Sequence, residues 1–345
     1  MSIFTASSIV ITAIFLALLL VHLTIKLALL KDIVDQPDPR KVHSEPVPLL
    51  GGLGMASAFI ITCLIFIKME SLLSAFLGGL LLIVLTGLAD DIWQIKPIVK
   101  FTGEIMAALV FIGISGYAIH SFGDLSGTGP LTTGRYAVPV TVFCMVGVMN
   151  ALNMADGMDG LVAGISIIGC VFLGYFAASS GQYLYLALIM ALTGSLLGFL
   201  YFNRYPARTF MGDNGSLFLG YTLSALCIML VQDQNLHMPV VPISMAIVLG
   251  LPIVDAMLVM SMRLKKGNNP FHPDNSHLHH RLLALGLSHP CVVRLICLLM
   301  GSCGVLALLV RQQPEWIQFY TGVAYASLIF GTVFFLQHTG YRVAR

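Results

Sequence analysis

Long apolar runs separated by short polar stretches dominate this sequence and set the class of fold that it can adopt. Hydrophobic residues make up 57% of the chain and charged residues only 10%, whereas soluble domains carry about 25% charged residues. Lipid is the solvent that accepts so much apolar surface, and one crossing needs about 20 residues. We count eleven such runs, at 6–30, 49–67, 72–88, 101–119, 136–154, 161–178, 183–202, 215–231, 239–262, 291–310 and 316–337. The sequence therefore predicts an all-α, polytopic membrane protein with about eleven transmembrane helices, forming a single domain over residues 1–345.

Basic residues are distributed unequally between the two ends of these predicted helices. If each run crosses once, fourteen of the eighteen Lys and Arg residues fall on one side, and Lys68, Arg135 and Arg311 fall on the other; Lys26 lies near the end of the first run. Cytoplasmic loops of membrane proteins carry the excess of Lys and Arg. The pattern predicts a cytoplasmic basic side, an N-terminus outside and a cytoplasmic C-terminus. The net charge of +2 does not favour a nucleic-acid partner.

The polar stretches that carry chemically active residues occupy every second loop, all on this basic side. We expect them to form one site at the cytoplasmic membrane boundary. The five loops are 31–48, 89–100, 150–160, 203–216 and 263–290.

Two adjacent carboxylates, Asp90 and Asp91, end the third apolar run. Neighbouring carboxylates repel each other, but such a pair can hold a divalent cation or supply a general base. The alternative is a solvated helix end. Lys100, at the start of the next run, could bind a phosphate or extend to the membrane boundary as an ordinary lysine.

Asn150, Asn153, Asp156 and Asp159 recur every three residues. On a helix this spacing keeps them near one face, and lipid would tolerate the two Asn side chains poorly. Oxygen donors suit Mg²⁺ rather than zinc. A polar stripe packed on neighbouring helices is the alternative.

Asp213 lies between glycines in the stretch 210–216, just before the eighth run. It could be a metal ligand beside free helix N–H groups, or simply a helix cap. Phe210 could stack on a flat base or act as an interfacial aromatic.

Three histidines, His277, His279 and His280, precede Arg281 in the last polar loop. Their spacing is not that of a zinc protease, and the basic surroundings favour contacts with phosphate oxygens over zinc binding or plain solvation. In the first loop, Lys41 and His43 could contact lipid headgroups or hold an acceptor phosphate.

Two isolated acids complete the set of candidates. Asp255 lies inside the ninth run, where a carboxylate needs a partner or water, and both a structural and a functional role stay open. Glu104, expected in the first turn of the fourth helix, could favour that helix terminus.

Carboxylates combined with Mg²⁺ and basic residues bind diphosphates and stabilise the charge that develops in phosphoryl transfer. Because the predicted site lies at the membrane boundary, one substrate can be a lipid. The residues thus point to metal-dependent phosphoryl transfer onto or from a membrane lipid. A transporter is the alternative from another class, with Asp255 as its main support.

Taken together, the motifs ADD (89–91), NxxNxxDGxDG (150–160), FMGDNGS (210–216) and HPDNSHLHHRLL (272–283) resemble the polyprenyl-phosphate N-acetylhexosamine-1-phosphate transferase superfamily. The last motif looks most like the bacterial undecaprenyl-phosphate GlcNAc-1-phosphate transferase branch. The sibling branch that transfers phospho-MurNAc-pentapeptide usually has three consecutive histidines, which Leu278 interrupts here.

The resemblance implies a UDP-N-acetylhexosamine donor, UDP-GlcNAc in this branch, and undecaprenyl phosphate as acceptor, with release of UMP. It also implies Mg²⁺, with Mn²⁺ as a substitute, and a multi-pass protein of the bacterial inner membrane. The product would start a lipid-linked surface polysaccharide of the O-antigen, common antigen or teichoic acid type, and a homodimer is one arrangement it allows.

The resemblance also assigns roles to residues. Asp213 would be the firmest Mg²⁺ ligand, with Asn153 and Asp156 close to the metal, and Asp90 would be the base. The implied catalytic residues are Asp90, Asp91, Asp156 and Asp159. The implied substrate-binding residues are Lys41, His43, Lys100, Asn150, Asn153, Phe210, His277, His279, His280 and Arg281.

Overall fold

The computed structural model describes residues 3–36, 45–233, 240–267 and 276–339 of the chain. Within these ranges α-helices form nearly all of the regular structure, which confirms the predicted class. The helices are α1 (Ile3–Leu30), α2 (Gly51–Phe66), α3 (Ser71–Trp93), α4 (Pro97–Ser115), α5 (Ala137–Ala155), α6 (Leu161–Ser179), α7 (Tyr183–Asn203), α8 (Gly212–Gln232), α9 (Pro242–Val248), α10 (Gly250–Lys265), α11 (Leu278–Ala284), α12 (His289–Val310) and α13 (Glu315–His338).

In the described ranges, nine helices are long and apolar enough to cross a membrane. They are α1, α3, α4, α5, α6, α7, α8, α12 and α13. A tenth crossing is formed if α9 and α10, which meet at an angle of 79°, count as one bent span. The apolar helix α2 has only 16 residues. These elements coincide with the eleven predicted runs, while the side of the membrane on which each terminus lies stays a prediction.

Helix α8 is the centre of the bundle. Of its apolar segment 94% is buried, against 22% for α1 and 17% for α13. It packs against α2, α3 and α5, while α1 packs on α2 and α7 at the outside. Outer helices keep large apolar side chains such as Phe15 exposed, as a lipid solvent permits. Protein therefore surrounds most of the apolar segment of α8, while Gly212 and Asp213 at its N-terminus stay partly exposed.

Glycines let other helices approach the start of α8 closely. A Cβ atom on Gly52 of α2 would lie 2.3 Å from the carbonyl oxygen of Met211 and 2.4 Å from the Cα of Gly215. Only glycine avoids this collision, which is why small residues mark close helix contacts in membranes. This backbone-to-backbone contact fixes α8 relative to α2.

Two short strands, β1 (Val34–Asp35) and β2 (Val47–Pro48), pair antiparallel and are the small exception to the all-α prediction. The carbonyl oxygen of Pro48 accepts the N–H of Phe210 at 2.8 Å and the hydroxyl of Thr209 at 2.9 Å. The first polar loop is thereby joined to the fourth.

Candidate active site

The N-terminus of α8 collects side chains from several loops. Asp91, in the last turn of α3, accepts the N–H of Asp213 at 2.7 Å and the N–H of Asn214 at 3.1 Å. The side-chain amide of Asn214 donates to the same carboxylate. The first N–H groups of a helix have no partner within that helix and attract anions. Asp91 therefore caps α8 from another helix, and both oxygens of its carboxylate accept hydrogen bonds.

Lys100 lies between two carboxylates at this terminus. Its Nζ is 3.2 Å from Asp90 Oδ2, and it also forms an ion pair with Asp213. The Lys100 side chain retains only 16% of its exposure, so the pairing is shielded from bulk water. One cation thus offsets the repulsion between Asp90 and Asp213.

Asn153 links α5 to the carboxylate of Asp213. Its Nδ2 donates to Asp213 Oδ1 and to Ser216 Oγ, both at 2.9 Å. Asp90, Lys100, Asn153 and Asp213, which the sequence placed in three different loops, form one connected group.

Asn150 lies one turn earlier on α5 and has a partner that the sequence did not indicate. Its Nδ2 donates to Glu104 Oε2 at 2.5 Å. Glu104 is 1% exposed, and it lies seven residues beyond Pro97, where α4 begins. The expectation that Glu104 sits in the first turn of its helix is wrong, because α4 starts earlier than the apolar run does.

The prediction of one helical face for Asn150, Asn153, Asp156 and Asp159 is also wrong. Helix α5 ends at Ala155 and the next begins at Leu161, so the two acids lie in the connecting loop. The glycines at this junction favour a turn over a continuous helix. The four residues are joined by a bend that brings the carboxylates towards α8.

The two acids of this loop differ in environment. Burial, followed by the nearby carboxylates of Asp213, Asp91 and Asp159, raises the pKa of Asp156 to about 7. Asp159 accepts the backbone N–H of Ala207 at 3.0 Å. Asp156 belongs electrostatically to the group at α8, while Asp159 ties the third loop to the fourth.

His279 faces this loop from α11. A Cβ atom on Gly157 would lie 2.5 Å from His279 Nε2, so the imidazole touches the backbone beside Asp156. The ring is buried, and Nε2 has no hydrogen-bond partner among the residues that the structure describes. Burial, followed by the neighbouring histidines His280, His277 and His289, lowers the pKa of His279 to about 3. His279 is therefore neutral at pH 7, with an unused ring nitrogen facing the third loop.

The other two motif histidines flank His279. The His280 ring lies 4.1 Å from that of His279, centroid to centroid. His277 is buried, and its Nδ1 lies 2.9 Å from Asp255 Oδ2. This contact of His277 with an acid of the ninth apolar run was not predicted.

Arg281 bonds to protein groups through several of its nitrogens. It donates to the carbonyl of Ser276 at 2.7 Å and to Gln337 Oε1 at 2.8 Å, and its guanidinium lies 4.2 Å from the ring centroid of Phe334. These contacts tie α11 to α13. Contact of Arg281 with a substrate stays a prediction.

The remaining predicted residues are placed in part. Phe210 is half-buried, and its backbone bonds to Pro48 and to Gly51, whose N–H donates to the Phe210 carbonyl at 3.2 Å. Lys41 and His43 lie outside the described residues. The described parts of all five loops meet at one end of the bundle.

Comparison with known proteins identifies the family of this chain. Residues 73–231 match glycosyl transferase family 4. A probable undecaprenyl-phosphate N-acetylglucosaminyl 1-phosphate transferase of Bacillus subtilis (strain 168) is 36% identical over 306 residues, which is 88% of this chain and 82% of that protein. The chain belongs to glycosyl transferase family 4.

Two further relatives of this family 4 transferase carry related names. The undecaprenyl-phosphate alpha-N-acetylglucosaminyl 1-phosphate transferase of Escherichia coli (strain K12) is 30% identical, over 92% of this chain and 88% of that protein. The decaprenyl-phosphate N-acetylglucosaminephosphotransferase of Mycolicibacterium smegmatis is 32% identical, over 78% of this chain and 73% of that protein.

The donor atoms of the family 4 transferase at α8 fit a hard divalent cation. Asp213, Asp156 and Asn153 offer carboxylate and amide oxygens, which Mg²⁺ and Mn²⁺ prefer. In the described part of the chain, no three His, Cys, Asp or Glu side chains form a ready-made metal cluster. Lys100 instead occupies the space between Asp90 and Asp213.

Sequence reasoning missed the residues that hold the loops of this family 4 transferase together. Asn203, at the end of α7, accepts the N–H of Gly160 at 3.0 Å and donates to the carbonyl of Thr209 at 3.0 Å. The side chains of Asn203 and Thr209 are both buried. An Asn at the end of an apolar run is the signal that could have identified this link, since lipid tolerates the amide poorly.

Proposed function

We propose that this family 4 transferase moves GlcNAc 1-phosphate from UDP-GlcNAc to a polyprenyl phosphate, undecaprenyl phosphate, and releases UMP. The names of its relatives support the reaction and the acceptor class. The membrane helices support a lipid substrate.

The group formed by Asp90, Lys100 and Asp213 at the N-terminus of α8 is the observation that carries the proposal. Lys100 joins the two carboxylates, and Asn153 donates to Asp213 at 2.9 Å. Carboxylates alone would repel a diphosphate. Carboxylates with a fixed lysine between them can orient one and offset its charge.

The proposed reaction is a direct phosphoryl transfer. An oxygen of the acceptor phosphate bonds to the β-phosphorus of UDP-GlcNAc, the bond from that phosphorus to the bridging oxygen breaks, and UMP leaves with the electron pair. Asp90 accepts the proton of the acceptor phosphate when that phosphate is singly ionised. Lys100 offsets negative charge on the transferred group. His279 contacts UDP-GlcNAc through Nε2. The phosphate is already a nucleophile, so positioning supplies much of the catalysis.

Mg²⁺ held by Asp213, Asn153 and Asp156 would supply positive charge to the diphosphate oxygens. Asp91 keeps Asp213 and Asn214 in place by capping α8. Phe210 is proposed to lie against the uracil, and Asn150 to support the donor pocket through Glu104.

We propose further that the site faces the cytoplasm from the bacterial inner membrane, with the N-terminus outside. The excess of Lys and Arg on the side of the five loops supports this orientation. The product would then serve as the first lipid-linked sugar of a cell-surface polysaccharide.

Release of UMP tests the function. Purified protein in detergent is supplied with UDP-GlcNAc, undecaprenyl phosphate and Mg²⁺, and UMP and the lipid-linked sugar are measured. We expect both products, no reaction with EDTA, and restoration by Mg²⁺ or Mn²⁺. Asp213→Ala and Asp90→Asn should each lose most of the activity, whereas Asp124→Asn, in an exposed loop outside the site, should keep it. Near-normal turnover in both site variants would overturn the assignment.

The choice of donor is tested in the same assay. UDP-GlcNAc, UDP-GalNAc and UDP-MurNAc-pentapeptide are compared at equal concentration. Preference for the pentapeptide donor would move the protein to the sibling branch, while uptake of a nucleotide sugar into vesicles without UMP would indicate a transporter.

A further inference from the structure

Asp255 is a buried carboxylate that the proposed reaction does not use. It lies on α10, is 8% exposed, and holds the start of α11 through both oxygens. Oδ2 is 2.9 Å from His277 Nδ1, and Oδ1 accepts the backbone N–H of Leu278 at 2.9 Å. Asp255 therefore binds both the side chain that precedes α11 and the first N–H of that helix.

The contact on the other side of His277 fixes the position of its proton. His277 Nε2 faces a guanidinium nitrogen of Arg263 at 3.5 Å. A guanidinium can only donate hydrogen bonds, so Nε2 must act as the acceptor. The ring proton then resides on Nδ1 and is donated to Asp255, which is how a carboxylate sets a histidine tautomer.

The geometry of α11 relates the position of His277 to that of His279 in the site. The rings of His277 and His279 are nearly parallel, with an interplanar angle of 6° and centroids 5.8 Å apart. His279 Nε2 in turn faces Gly157, next to Asp156. A rotation of the His277 ring or a shift of the first turn of α11 would move His279 out of this contact.

We propose that Asp255 is a positioning residue for the transferase: it sets the tautomer of His277, anchors the N-terminus of α11, and so places His279 against the third loop. This inference rests on the proposed function, because His279 matters only if the donor binds beside it. Asp255 itself touches no reacting atom.

The substitution Asp255→Asn tests the inference directly. Asn retains an oxygen that can accept the N–H of Leu278, but its NH₂ group would face His277 Nδ1 and favour the opposite tautomer. That tautomer turns an N–H towards Arg263, which cannot accept it. We expect kcat/KM for UDP-GlcNAc to fall more than tenfold, with the KM for undecaprenyl phosphate unchanged.

A double-mutant cycle separates positioning from general destabilisation. If Asp255 acts through His277, then Asp255→Asn combined with His277→Ala should be no worse than His277→Ala alone. The matched control is Asp233→Asn, since Asp233 also accepts a hydrogen bond from a buried partner, Tyr185, at 2.7 Å. The control should lower thermal stability without changing the two KM values. Multiplicative losses in the double variant, or equal losses in the control, would overturn the inference.

A measurement without turnover keeps this test independent of the proposed function. ¹⁵N-histidine-labelled protein in lipid is studied by solid-state NMR, and the His277 signals are identified by their loss in His277→Ala. We expect Nδ1 to carry the proton in the wild type and Nε2 to carry it in Asp255→Asn. An unchanged tautomer would refute the role of Asp255 even if UMP is released. Failure to release UMP with the expected tautomers would refute the proposed function alone.

Discussion

The carboxylate of Asp91 caps a helix to which it does not belong, accepting the N–H of Asp213 at 2.7 Å across the contact between α3 and α8. One of the two adjacent acids is thereby committed to structure, while its neighbour Asp90 pairs with Lys100. Adjacent positions on one helix turn point in different directions, and here they divide two tasks between them.

Asp91→Asn replaces an acceptor oxygen by an NH₂ group that faces N–H donors. We expect a loss of about 1–3 kcal/mol in stability, the usual cost of an unsatisfied buried polar group, and a fall in UMP release. Thermal unfolding and UMP assays on the same sample measure both. Asp124→Asn is the control, because Asp124 also accepts two backbone N–H groups, of Gly127 and Gly129, but in an exposed loop. Wild-type activity in Asp91→Asn would contradict the capping role.

Gly157→Ala adds a Cβ atom that would lie 2.5 Å from His279 Nε2. The imidazole must move, and a displacement of about 1 Å in an active site can cost about 100-fold in rate. We expect kcat/KM for UDP-GlcNAc to fall at least tenfold, with normal insertion into the membrane. Gly147→Ala is the control. Gly147 lies in α5, the helix that precedes this loop, and its Cβ would meet nothing within 4 Å. Equal kinetics in the two variants would show that His279 does not need its contact with this loop.

The raised pKa of Asp156, about 7, predicts a link between pH and magnesium. The carboxyl gains a proton as the pH falls from 8 to 6, and a protonated carboxyl is a poor ligand. The Mg²⁺ concentration for half-maximal UMP release should therefore rise as the pH falls. Asp156→Asn, measured at higher Mg²⁺, should lose most of this dependence. A constant Mg²⁺ requirement from pH 6 to pH 8 in the wild type would exclude Asp156 as a ligand.

The proposed orientation predicts which loops meet an impermeant thiol reagent. Lys96→Cys lies between α3 and α4 at the end of the bundle that holds the site, and Thr128→Cys lies in the exposed loop that precedes α5. In intact cells only Thr128→Cys should be labelled, and both should be labelled after lysis. The seven native cysteines are buried or half-buried, so the wild type supplies the background. Labelling of Lys96→Cys in intact cells would reverse the orientation.

Polar residues at the ends of apolar runs were predictable because lipid makes them costly. Asp90 and Asn153 were identified on that ground, and Lys100 and Asp213 by their positions at the start of apolar runs. The structure joins all four at α8. Their proximity follows from the alternation of loops between the two ends of the bundle.

The partners of buried charges were not predictable, because they lie far apart in the sequence. Asp255 bonds to the residue 22 positions later, and Arg281 bonds to Gln337, 56 positions later. The end of α5 at Ala155 was missed for a different reason: a period of three residues suits a helix, but the glycines that follow favour a turn. Local pattern fixed the composition of the candidate site, and tertiary packing fixed the orientation of each side chain.

The hydrogen bond between Arg281 and Gln337 attaches α11, the helix that carries His279, to α13. Asp213 lies on α8, whose apolar segment is the most buried of the described candidate spans, whereas α11 is attached to α13, whose segment is the least buried. Under the proposed function, we expect changes in bilayer thickness or fluidity to alter binding of the sugar nucleotide before they alter the phosphoryl transfer.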